Sequence, residues 1–182
     1  MELPPPPHEH LLSRPAVSDV DIAEYRRLGA EAAASVAVVC TSWRGRDYAA
    51  TVSAHLSVSY DPPTLLVSLY EGSRIAAAVT GAGHWTLSLL AAGQRRTANW
   101  LASPGSPVEG LMESVEFRRG RVTGSPVIDG ALAWFELETT AVHPAATHLL
   151  VVGAVVGMGE RGAGQPGEGP LLHYGGEYHR LA

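Results

Sequence analysis

Residues 51–63 read TVSAHLSVSYDPP, with four hydroxyl side chains in the first nine residues (Thr51, Ser53, Ser57 and Ser59) interleaved with apolar ones and an end on Asp61-Pro62-Pro63. Alternation with a period of two is the pattern of a β-strand that shows different chemistry on its two faces. In a regular strand Thr51 and Ser53 share one face and Ser57 and Ser59 likewise share a face, so two hydroxyl clusters would point the same way. The segment ends at Asp-Pro-Pro, because proline removes a backbone donor and biases the residue before it toward extended geometry. Such a row suits two ends: a polar face meeting water, or a cradle for a small anionic ligand with a planar apolar ring.

The flanking sequence has the same β texture. SVAVVCTSW (35–43), a polar break at Arg44-Gly45-Arg46-Asp47, and YAATVSA (48–54) predict two strands joined by a short turn, and TLLVSLY (64–70) predicts another. Ser73 to Thr80 reads as a short helix capped by Ser73, HWTLSLL (84–90) as a strand after the Gly81-Ala82-Gly83 break, and QRRTANWLA (94–102) as a second short helix. The region from Pro104 to about Arg119 is weakly specified. The last third predicts strands at ALAWFELETTAV (131–142) and THLLVVGAVVGM (147–158), a Gly-rich loop over 157–169, and a terminal pair in LLHYGGEYHRL (171–181).

Toward the N-terminus, Ser18 and Asp21 fit a capping box, and Ile22, Tyr25, Leu28 and Ala32 recur near helical spacing, which predicts a packing helix with one apolar face. Pro4 to Pro7 favour extended polyproline geometry, so residues 1–17 read as an arm and 18–182 as one domain. Many short strands, few short helices and frequent Gly or Pro punctuation predict a mainly β chain, a closed antiparallel barrel with peripheral helices. No G-x-G-x-x-G follows a strand, which argues against a parallel dinucleotide-binding sheet.

At 46% hydrophobic and 17% charged residues over 182 positions, the chain has the composition of a folded domain. A formal net charge of −5 with arginines scattered in pairs argues against a nucleic-acid binder, which needs clustered cations. Neither a basic start followed by an apolar run nor a stretch of about 20 apolar residues is visible, so the expectation is no membrane span and a cytoplasmic setting. Cys40, alone in VAVVCTSW, reads as an inert buried thiol. The eight histidines lack H-E-x-x-H spacing, His8 and His10 have no further ligands nearby, and no metal site is expected. A G-x-S-x-G nucleophile motif is also missing, and no carboxylate pair stands out.

The run T-x-S-A-x-x-S-V-S-x-D-P-P resembles the flavin-binding segment of the flavin reductase-like proteins, FMN-binding split-barrel reductases that supply reduced flavin to two-component monooxygenases. The likeness continues in order. Leu65 to Ser68 with Ser73-Arg74 resembles the family's strand-then-serine-helix, and Trp85 to Leu90 its apolar strand after a glycine. Gly124 with PVIDGA (126–131) resembles its lead into a long strand, THLLVVGAVV its histidine-initiated strand, and PLLHYGGEY its terminus. Ordered matches span about residues 35–181.

The resemblance implies an antiparallel split barrel of Greek-key type and an NAD(P)H:flavin oxidoreductase using FMN or FAD, with NADH or NADPH as hydride donor. It also implies a homodimer and a partner oxygenase that consumes reduced flavin. Carried over residue by residue, Thr51, Val52, Ser53 and Ala54 would meet the isoalloxazine edge, Ser57, Val58 and Ser59 the ribityl-phosphate side, and Ser73 with Arg74 the phosphate. His148 would stand near the nicotinamide as the candidate catalytic residue. It corresponds to the histidine of the family's Gly-Asp-His signature, but here the triplet is Ala146-Thr147-His148, so the aspartate is lost. His173 falls where the family often places an aromatic. The altered Ala146-Thr147-His148 triplet leaves open a flavin-retaining oxidase or oxygenase, and, since fold does not fix function, a noncatalytic flavin-binding protein on the same barrel is a further alternative.

Overall fold

Val36 to Cys40 have almost no exposed surface, and the reason lies in what flanks β2 (Ala37–Trp43) on each face. Ala37 and Val39 point into one apolar cluster, Val38 and Cys40 into another, so a continuous apolar run is what a strand buried on both faces requires. This computed structural model describes residues 19–102, 110–161 and 169–181. The Pro-rich arm, Ser18 and most of the Gly-rich stretch before Gly169 lie outside those residues.

In chain order the described elements are α1 (Asp19–Gly29), β1 (Ala34–Ser35), β2, β3 (Arg46–Val52), β4 (His55–Tyr60), β5 (Pro63–Tyr70), α2 (Arg74–Ala82), β6 (His84–Leu89) and α3 (Arg95–Ala102), the last preceded by a 3-10 turn. They continue as β7 (Phe117–Arg119), β8 (Pro126–Ile128), β9 (Ala133–Ala145), β10 (His148–Glu160), β11 (Leu171–Tyr174) and β12 (Glu177–Arg180). The main sheet is antiparallel with the order β3-β2-β6-β9-β10-β5-β4, and β1-β11-β12 and β7-β8 form small separate sheets.

The order places β3 and β4 at opposite edges of a seven-stranded sheet, yet only Ser53 and Ala54 connect them. Strands about 4.8 Å apart would put those edges roughly 29 Å from one another in a flat sheet. A link of this length spans about 10 Å from Val52 to His55. The sheet therefore curls until its edges meet, and a barrel forms with a seam between β3 and β4 that no strand ladder closes. The closed barrel expected from pattern alone is thus open on one side, and the split barrel implied by the resemblance is the observed form.

The barrel interior holds Val39, Val67, Trp85, Leu87, Leu137 and Val151, and α2 plugs one end with Ile75, Ala76 and Val79. A Cβ on Gly81 would lie 2.6 Å from Cε2 of Trp43, so glycine lets α2 sit flat on β2 although alanine is the better helix former. The second cluster, outside β2, gathers α3 (Ala98, Leu101) with Leu90, Ile128 and Leu171. Cys40 is fully buried there, and burial, reinforced by the Asp47 carboxylate, pushes its thiol far above the ordinary range, so it packs and does not react.

One expectation fails at α1. Ile22, Tyr25 and Leu28 are 39, 78 and 53% exposed, and Ala32 lies beyond the helix end, so the apolar face is left largely uncovered by the described residues. What anchors the segment is its C-terminal side, where Gly175 N–H donates to Ala30 O (2.8 Å) and Tyr174 Oη–H to Glu31 (2.9 Å). Two smaller differences follow from pairing: β10 runs on through Gly157 to Glu160 where a loop was predicted, and the weakly specified region contains β7, paired with β8.

Candidate functional site

The seam opens into a cleft of about 630 Å³. One wall is β3 and the corner after it, Tyr48 to Ala54; the other is the end of β5, Ser68 to Tyr70; Gly72 to Ile75 at the start of α2 close one end, and Leu101, Ala102 and Leu111 the floor. Ser68 N–H donates to Ala54 O at 2.9 Å and ties the corner to β5. The lining is more apolar than polar; polar side chains stand on both walls (Tyr48, Thr51, Ser53, Ser68) and at the α2 end (Ser73, Arg74).

Ser73 caps α2 as its place in the sequence predicts: its Oγ accepts from Ala76 N–H (3.2 Å) and donates to Tyr70 O (2.6 Å). The hydroxyl is thereby committed to the turn. What the helix presents to the cleft is its first turn, Arg74 and Ile75, whose amides have no acceptor inside the helix and stand at the positive end of its dipole. Thr51 is committed likewise, its Oγ1 donating to Ala98 O of α3 at 2.8 Å. Of the corner side chains, that of exposed Ser53 remains to meet a ligand, while Ala54 O is taken by Ser68 N–H.

Thr51, Val52, Ser53, Ala54, Ser73 and Arg74 thus line one cleft, whereas Ser57, Val58 and Ser59 do not. Ser57 and Ser59 do not share a face either. Ser57 pairs with Leu65 and Ser59 with Thr64, which are consecutive residues, so an irregularity at Val58 inserts one residue and resets the alternation. Ser59 Oγ accepts from Asp61 N–H at 3.1 Å and serves the turn before the prolines.

His55, directly after the corner, is half-buried, with Nε2 3.2 Å from both Oγ and O of Ser35. Burial lowers its pKa below the ordinary value, partly offset by the bond to the Ser35 carbonyl. A folded-state pKa below the unfolded one means that stability is full above about pH 6.5 and declines as pH falls through the folded value. The thermal midpoint is expected to drop between pH 7 and 5.5 in the wild type and to drop less in His55→Gln; equal slopes in the two proteins would remove this assignment.

His148 stands exposed at the start of β10, and Tyr70, its register partner on β5, lies between it and the cleft. The two rings meet edge to face with centroids 5.9 Å apart. Tyr70 is a cleft residue that the sequence reading missed; the available signal was an aromatic closing a strand three residues before a helix-capping serine. His173 packs edge to face on Tyr178 at 5.8 Å and is not in the cleft wall. Among the described residues no three His, Cys, Asp or Glu side chains converge as metal ligands, and no helix is long and apolar enough to cross a membrane.

The family model described as "Flavin reductase like domain" matches residues 29–182. The chain belongs to this flavin reductase-like family. Similar members include the FMN reductase (NADH) RutF of Ancylobacter novellus, 33% identical over 163 residues that make up 87% of this chain and 84% of that protein. The "Probable flavin reductase" of Rhizobium meliloti is 32% identical over 134 residues, 74% of this chain; the match spans only 42% of that longer protein. Among solved structures, BorF, the flavin reductase component of a bacterial two-component tryptophan halogenase, superposes with a TM-score of 0.81 at 27% identity, covering 88% of this chain and 98% of that one.

The cleft fits a flavin on its own chemistry. Its volume falls within the roughly 300–1,000 Å³ of small-molecule sites. Apolar side chains from β3, β5 and α3 can flank a planar ring, and a helix N-terminus with an adjacent arginine suits a phosphate at one end.

Proposed function

We propose that this chain is an NADH-dependent flavin reductase that works in the cytoplasm, brings nicotinamide against FMN or FAD in the seam cleft, and releases reduced flavin to a separate oxygenase. The observation that carries the reading is the meeting, in one cleft, of an apolar slot between β3 and β5 with the N-terminus of α2. Flavin, when bound, supplies a ring that accepts hydride from the nicotinamide and carries the electrons away. The protein's share is binding and orientation. The first turn of α2 and Arg74 hold the phosphate. Backbone N–H groups and Ser53 at the corner face the polar ring edge, where they offset the negative charge that reduction brings. His148 contacts the nicotinamide at the rim, beyond Tyr70.

With excess free FMN or FAD, the nicotinamide absorbance of NADH should fall at a rate that depends on added flavin. His148→Ala is expected to lower kcat/KM for NADH at least about tenfold while FMN affinity stays within about twofold. Untouched NADH alongside flavin that stays bound through gel filtration would sink the reductase reading in favour of a flavin-retaining oxidase. Equal loss of both parameters in the variant would make His148 structural.

A homodimer is part of the same reading. Leu56 faces Leu66 and Leu66 faces Val152 across β4, β5 and β10, an apolar stripe on the barrel's outer side, and α1 separately leaves Ile22, Tyr25 and Leu28 exposed. Surface of this kind points to a protein partner. Sedimentation equilibrium should return twice the chain mass of 19.2 kDa; a single-chain mass at micromolar concentration would refute the dimer.

A further inference from the structure

We propose that Thr147 is a positioning residue that fixes the tautomer of His148, so that the imidazole presents Nε2–H as an uncharged hydrogen-bond donor at the cleft rim. The inference rests on the reductase reading above, in which His148 meets the nicotinamide.

The imidazole is held from two sides. Thr147 Oγ1 lies 3.0 Å from its Nδ1. The Thr147 backbone is itself fixed, since its carbonyl accepts from Glu71 N–H at 3.0 Å, which pins the β9-β10 turn to the end of β5. From the other side the Tyr70 ring meets the imidazole at 66°. That ring lies across Gly72, where a Cβ would come within 2.8 Å of Tyr70 Cε1, so the ring takes this place because position 72 is a glycine. His148 is exposed, and among its described contacts none reaches Nε2.

A hydroxyl at Nδ1 differs in kind from a carboxylate. A carboxylate only accepts, so it would take the proton on Nδ1 and leave a neutral ring with a bare Nε2, or else stabilise a charged ring. Threonine can donate. Oγ1–H to Nδ1 gives the hydroxyl proton a partner and leaves the ring proton on Nε2, pointed at any acceptor in reach; the carboxamide oxygen of a nicotinamide is such an acceptor. A threonine at position 147 therefore sets the opposite polarity at the outward nitrogen from the one a carboxylate there would set.

Nitrogen-15 histidine spectra of the whole chain at high pH decide the tautomer directly. The expected result is Nε2 protonated and Nδ1 bare for His148, loss of that preference in Thr147→Val, and its return in Thr147→Ser. In parallel, KM for NADH should rise about threefold to tenfold in the valine variant, with FMN affinity and thermal midpoint unchanged and recovery in the serine variant. A protonated Nδ1 in the wild type, or a valine variant with unaltered spectrum and KM, overturns the proposal. If the wild type does not oxidise NADH, the reductase reading fails while the spectra still judge Thr147.

Discussion

Ser73→Asp should weaken FMN binding at least tenfold while leaving riboflavin binding within about threefold of the wild type. Aspartate is as good an N-cap as serine, so α2 keeps its start, although a carboxylate cannot donate to Tyr70 O as the serine hydroxyl does, a loss that both flavins would register alike. What changes is the charge at the helix end that lines the cleft. At an effective dielectric of about 20, two unit charges roughly 6 Å apart repel by about 3 kcal/mol, and solvent at an open cleft screens part of this. The remainder comfortably exceeds the ~1.4 kcal/mol of a tenfold effect. Fluorescence titrations with both flavins separate the outcomes: equal loss for riboflavin would mean that the cleft itself is damaged, and unchanged FMN affinity would place the phosphate elsewhere.

Glu136→Gln should lower the thermal midpoint by roughly 5–10 °C. Glu136 is buried on β9, and its carboxylate accepts the N–H groups of Arg121 (2.9 Å), Val122 (3.0 Å) and Thr123 (2.7 Å) and the Thr123 hydroxyl (2.8 Å), which moors the turn between β7 and β8. Gly120 and Gly157 close over the carboxylate so tightly that a side chain at either would press on it. Glutamine sets an NH2 donor against at least one of those donors, and a buried donor without an acceptor costs about 1–3 kcal/mol. For a chain of this size each kcal/mol moves the midpoint about 2–4 °C. Burial pushes the Glu136 pKa up, but Thr123, Val122 and Arg121 pull it down further, and the net value lies below the ordinary one. Its contribution is therefore full above about pH 4.3 and is lost as pH falls through the folded value. Acid should thus destabilise the wild type more than the glutamine variant, and a midpoint unchanged within a degree would show that the moorings are dispensable.

The sequence showed the β texture, the Ser73 cap and the order of strands well, because each rests on local signals: period-two alternation, a serine before an apolar helical face, prolines at strand ends. It did not show where the strand of residues 51–60 breaks. TVSAHLSVSY alternates through Ser53 and Ala54 without a glycine or proline, so a corner forced by the closure of a sheet looks like continuing strand. The Val58 irregularity was hidden for the same reason, and it is what separates Ser57 from Ser59. Glu136, between Phe135 and Leu137 in a strand pattern, reads as an outward charge; only the fold brings the backbone of a distant turn to meet it. Exposure of the α1 face was illegible because a helical apolar stripe records that a partner is required and not which surface supplies it.

An open seam in a β-barrel is a hazard as well as a binding site, since unpaired strand edges are templates on which other chains can add strands and aggregate. Here the two edges are guarded by different means. β3 is overlain by α3, which Thr51 fastens in place, and β4 is short, irregular at Val58 and flanked by Pro62 and Pro63. The Ser53-Ala54 corner also joins the two edges at one end, and the Ser68 N–H bond to Ala54 O fixes that corner to β5. A cleft can therefore lie where the sheet is incomplete without leaving two bare strand edges open to other chains.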